Sequence, residues 1–154
     1  LSQEFRERVQ AEQSRLALQE EVIRAQSERL AELSTPIIPI SAEIMVMPLI
    51  GTMDTQRAAL VLDTALAGAQ AARARVVILD ITGMRHVDKS VAATLISTGK
   101  ALRLLGTQAI LTGIRAEVAQ TLVQLDVALG SMVTRSTLQS GIAYAQQLVG
   151  RAQR

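Results

Sequence analysis

Apolar side chains are sparse along the first 33 residues and fall at a fixed interval. Val9, Leu16, Ile23 and Leu30 recur every seven positions, with Phe5 and Leu33 on the same stripe. The surrounding residues are mostly Glu, Gln, Arg, Ala and Leu, with no Gly or Pro. A heptad sustained this long predicts one helix over 1–33 with a coiled-coil seam. The alternate seam positions Glu12, Gln19 and Gln26 are polar, so the seam is thin. A solvated linker helix with one apolar edge is the other reading. A parallel dimerisation stalk is preferred, because a lone helix of this polarity has nothing to bury. Ser34-Thr35-Pro36 ends the helix, since the residue before a proline is pushed out of the α region.

Beyond residue 34 the period changes. Two short apolar runs, Ile37–Ile40 and Ile44–Leu49, read as strands split by Ser41-Ala42-Glu43, and Gly51-Thr52 closes the second. Asp54 or Thr52 can cap a helix over Thr55–Ala72, where Leu60, Val61, Thr64, Ala67 and Ala71 give the helical period. Arg75–Ile81 reads as a strand whose apolar run is that expected of a central strand covered on both faces. A helix then starts at Asp88 and runs to Leu105, with Val91, Leu95, Thr98, Leu102 and Leu105 inward. Lys89, Ser90, Thr94, Ser97, Lys100 and Arg103 face outward. Gly106 stops it. Gln108–Thr112 is a strand, Glu117–Leu125 a helix, Met132–Thr134 a short strand and Ser136–Val149 a last helix. The pattern β-β-α-β-α-β-α-β-α predicts an α/β domain over 34–150, a mixed sheet covered by four helices.

Composition narrows the functions open to such a domain. Apolar residues make up 49% of the chain and are almost all aliphatic; Phe5 and Tyr144 are the aromatics. Surfaces that stack bases or sugars are therefore disfavoured. The pI of 9.7 accompanies a net charge of only +2. With no Cys, one Tyr and two Lys, little titrates between neutrality and that pI, so a small Arg excess raises it without building a basic patch. No nucleic-acid partner is expected. The absence of Cys excludes disulfides and thiolate chemistry, and His86 is the one imidazole. No apolar run is long enough to span a bilayer and the charged N-terminus is no signal peptide. No membrane partner is expected, and the cytoplasm is the default location. A start at Leu1 rather than Met predicts a segment upstream.

Candidate chemistry is thin. No phosphate-binding glycine loop is present, and no cofactor is expected. Asp80 and Asp88 are the nearest carboxylate pair, with capping the favoured role for Asp88. His86 reads as a solvated loop residue, and Met45, Met47 and Met53 as core filler. Two segments stand out. One is the Asp88 helix start, ILDITGMRHVDKSVAATLI, which presents a polar first turn. The other is GIRAEVAQTLVQL, where Val118, Leu122 and Leu125 face the sheet. Glu117, Gln120, Thr121 and Gln124 are left on the wet face, so Thr121 offers a hydroxyl in mid-helix. Spacing alone gives that hydroxyl no function.

Together STPIIPI, MPLIGTMDTQRA, VVILDITGMRHVD, ALRLLGTQAILTGIRAEVAQTLVQL and MVTRSTL resemble the STAS domain of RsbR-type proteins of the bacterial stressosome, over residues 34 to 149. ILTGIR followed by E-x-A-Q-T-L separates this branch from simpler anti-sigma-factor antagonists. The resemblance implies a non-enzymatic regulator that dimerises through sensor and linker. It implies co-assembly with an RsbS-type STAS scaffold protein and retention of an RsbT-type serine/threonine kinase. That kinase phosphorylates STAS residues under stress and leaves. The family acceptors are a Thr directly after the capping Asp and a Thr in A-Q-T-L. The second falls on Thr121. The first falls on Lys89, which cannot accept phosphate there, so the site is blocked; Ser90, one residue on, is the alternative acceptor. Ala116 stands where the family has Pro, Asp126 where Gly is usual, and Ser41-Ala42-Glu43 lacks a common Gly. A stand-alone antagonist that binds an anti-sigma factor is the runner-up. A small-molecule- or nucleotide-binding α/β domain is the reading from another class.

Overall fold

A computed structural model describes residues 6–11, 36–124, 129 and 132–152. The chain divides into two units, Leu1–Leu33 and Ser34–Arg154. In the first, residues 6–11 are helical and exposed. Val9 is the one heptad position among them; Phe5, Leu16, Ile23, Leu30 and Leu33 lie outside the described residues.

The second unit follows the order read from the sequence. Its elements are β1 (Ile38–Pro39), β2 (Ile44–Ile50), α1 (Thr55–Ala72), β3 (Val76–Gly83), α2 (Lys89–Leu104), β4 (Gln108–Thr112), α3 (Ala116–Gln124), β5 (Val133–Arg135) and α4 (Leu138–Ala152). The five strands form one sheet in the order β1-β2-β3-β4-β5. β1 pairs antiparallel with β2, and every later pair is parallel. The Ser41-Ala42-Glu43 turn closes without a glycine, the Ile40 and Ser41 amides both donating to the Ile44 carbonyl. Pro48, which has no N–H to offer, lies in β2 past the end of the two-residue β1, and the β2–β3 register shifts just after it.

A sheet that grows strand by strand in one direction through right-handed crossovers carries its crossover helices on one face. α1, α2 and α3 pack there against Met45, Met47, Leu49, Val77, Leu79, Ile81, Ala109 and Leu111. α4 returns over the opposite face, onto Ile44, Val46, Val76, Ile78 and Ile110. β3 is therefore buried on both sides from Val76 to Ile81.

Two inward faces differ from the sequence reading. α1 buries Ala58, Val61, Ala65 and Ala69. Leu60 and Thr64 are half-buried, and Ala67 and Ala71 are exposed. Alanine satisfies an apolar period on any side of a helix, so the pattern did not select the face. Leu105 is 48% exposed because it is the C-cap of α2, beyond the last position in register with Leu95 and Leu102. On α3, Val118 and Leu122 are buried as expected; Leu125 lies outside the described residues.

Candidate regulatory site

The loop from β3 to α2 is pinned by its apolar residues. Met84 and Val87 are buried, the Met84 amide donates to the Ile81 carbonyl at 3.0 Å, and Arg85 and His86 project outward. Asp88 is the N-cap of α2: its backbone is extended (φ −87°, ψ −179°), and Oδ1 accepts from the Val91 amide at 2.8 Å. This satisfies one of the free amides of the first turn. Lys89 and Ser90 are exposed on that turn. Ser90 also lines a shallow cleft of about 350 Å³ between α1 and α2, with Thr55, Ala58, Leu62, Ala93 and Ser97.

Thr121 lies five residues into α3. The wet-face reading holds for Glu117, Gln120 and Gln124, whereas Thr121 is half-buried. Its hydroxyl folds back to donate to the Glu117 carbonyl at 3.0 Å, which draws the side chain along the helix surface. The structure thus places Lys89 with Ser90 on one helix and Thr121 on the next. These helices leave adjacent parallel strands, β3 and β4, at the same edge of the sheet.

That edge is tied by a group that periodicity did not reveal. Asp80, 8% exposed, receives hydrogen bonds at Oδ1 from Thr82 Oγ1 (2.9 Å) and Thr112 Oγ1 (2.8 Å). The signal available was an Asp inside the apolar run VVILDI, since a buried carboxylate needs partners. At the start of α1, Asp54 caps through the Arg57 amide at 2.8 Å, and the Arg57 guanidinium donates to the Thr52 carbonyl at 2.6 Å. Burial lowers the Arg57 guanidinium from its ordinary value, while the Asp54 carboxylate pulls the other way. Among the described residues, no cluster of three or more His, Cys, Asp or Glu is placed to hold a metal. No helix among them is long and apolar enough to cross a membrane.

The STAS domain model matches residues 35–141. The chain belongs to the STAS family. It is 43% identical over 132 residues to the RsbT co-antagonist protein RsbRA of Bacillus subtilis, covering 86% of this chain and 48% of that protein. The chain therefore spans about half the length of the curated relatives it matches. Among solved structures, a serine-to-glutamate variant of Moorella thermoacetica RsbS superimposes with a TM-score of 0.66 at 28% identity. It covers 75% of this chain and 97% of that one. A chain from the molecular architecture of the stressosome gives 0.65 at 27% identity, with 74% and 98% coverage. The STAS fold expected from the sequence is thus present, with RsbR co-antagonists and RsbS among the proteins that the chain is similar to.

Proposed function

We propose that this STAS domain is the assembly module of a stressosome sensor protein. In this reading it packs with an RsbS-type STAS scaffold and retains an RsbT-type serine/threonine kinase, performing no catalysis itself. The helix over 1–33 joins two copies beneath a sensor domain. Phosphorylation regulates the assembly through one hydroxyl, Thr121, while Lys89 holds the Asp88 helix start permanently unphosphorylated. The observation that carries the reading is the similarity to RsbRA over 132 residues, coupled with an Asp-capped helix whose first two residues are exposed and begin with lysine.

Phosphosite mapping after incubation with an RsbT-type kinase and ATP tests it. The wild-type chain is expected to take one phosphate, on Thr121. Lys89→Thr should take two and Thr121→Val none. Abundant phosphate on Ser90 with Thr121 unmodified overturns the assignment. Mixing with an RsbS-type protein should give a particle far larger than either component on gel filtration, and a mixture that stays small refutes the assembly role.

A further inference from the structure

Resting on Thr121 as the acceptor, we infer that phosphorylation unwinds α3, so that this nine-residue helix is an order–disorder switch. The helix is thinly held. Its buried residues are Val118 and Leu122, and Val123 is 80% exposed. Glu117 in the first turn supports the helix in the unmodified chain, since a carboxylate there meets the positive end of the dipole.

Phosphoryl transfer sets three repulsions against this thin hold. The Oγ1–H bond breaks and its proton passes to a base on the kinase. The oxygen bonds to the γ-phosphorus of ATP, and ADP leaves. The ester oxygen now carries no hydrogen, so the 3.0 Å contact with the Glu117 carbonyl sets acceptor against acceptor. Threonine in a helix splits between two rotamers, one of them favoured by that very bond, so the ester either keeps the acceptor–acceptor contact or gives up the rotamer that the bond selected. The group adds about 1.5 to 2 negative charges. Glu117, four residues earlier, faces the modified side chain one turn away and now repels it. The phosphate also lies in the half of the helix nearer the negative end of the dipole, and no basic residue occupies the last turn to offset it. Unwinding relieves all three repulsions at the cost of releasing two apolar side chains. Val118 and Leu122 then leave the cluster they share with Leu111 and Leu95, uncovering apolar surface on that face of the sheet.

The experiment incorporates phosphothreonine at position 121 during translation, so no kinase is needed, and follows amide hydrogen exchange by mass spectrometry. Amides of residues 117–124 are expected to exchange at least tenfold faster than in the unmodified chain, while those of Val76–Ile81 stay within twofold. Adding Gln124→Lys to the phosphorylated chain places a cation three residues on. It should restore at least threefold of the lost protection, a rescue that general destabilisation would not give. Unchanged protection in α3 overturns the switch but leaves Thr121 free to be the acceptor. Equal loss of protection in β3 also overturns it, as unfolding of the whole domain. A kinase that labels Ser90 instead would remove the acceptor without altering the exchange result.

Discussion

Gly113 leaves β4 with φ +77°, in the region disfavoured for residues with a Cβ. A methyl group there would collide with Thr82 Oγ1 and sit 2.7 Å from the Thr82 amide nitrogen and 2.8 Å from Asp80 Oδ1. Gly106 has almost the same backbone, φ +81°, but a Cβ there would meet nothing within 4 Å. The two glycines form a matched pair. Alanine in the left-handed region costs ~1–2 kcal/mol, and both variants bear that loss. At 113 the methyl must also push the Thr82 hydroxyl off Asp80, and a hydrogen bond accepted by a carboxylate is worth ~1.5–3 kcal/mol. Gly113→Ala should therefore lose about 2.5–5 kcal/mol and Gly106→Ala about 1–2 kcal/mol. Urea unfolding of the full chain, followed by far-ultraviolet circular dichroism, measures both. Equal losses would refute the reasoning, because they would show that the packing around Asp80 adds nothing to the backbone penalty.

Other substitutions probe the elements that carry the candidate site. Asp88→Ala removes the N-cap of α2 and should cost ~1 kcal/mol in the same unfolding experiment, with Asp88→Asn close to wild type. Gly99→Ala is a sharper case: alanine in mid-helix gains ~1 kcal/mol of propensity, yet its Cβ would lie 2.6 Å from Met132 Cγ and 2.8 Å from Sδ. Overpacking costs ~1–3 kcal/mol, so the expected net result is a loss of up to ~2 kcal/mol. The double variant with Met132→Ala should show a coupling of at least ~1 kcal/mol in a double-mutant cycle, whereas additive losses would mean that Met132 yields freely.

Much of this domain is legible in its local pattern. Thr55–Ala72 and Gln108–Thr112 have the limits read from the pattern: a capping Asp marks the start of the first and the Gly106 turn precedes the second. What periodicity cannot give is which neighbours meet. α1 is so rich in alanine that several faces look apolar, and only its approach to the sheet selects Ala58, Val61, Ala65 and Ala69. Asp80 reads as one polar residue in a strand. Its partner Thr112 is 32 residues away, brought alongside by the β3–β4 register. Thr121 reads as exposed from its place on the helical wheel. It is half-buried, with its hydroxyl bonded to its own helix, and a wheel represents neither.

The two family acceptor positions are not equivalent physically, and this gives Lys89 its significance. A phosphate at the first turn of α2 would meet free backbone amides and the positive end of the helix dipole, surroundings that accommodate negative charge. A phosphate at Thr121 meets a carbonyl, a glutamate and the negative half of its helix. On the reading proposed above, the lysine therefore does more than halve the number of sites. It removes the position where a phosphate would leave the helix standing and keeps the one where a phosphate opposes it. The cost of the lysine is small, ~0.3–1 kcal/mol for a cation near a helix N-terminus before screening, with Asp88 beside it to offset part. On that reading, for a small loss, phosphorylation at Thr121 falls on a structural element that the modification opposes.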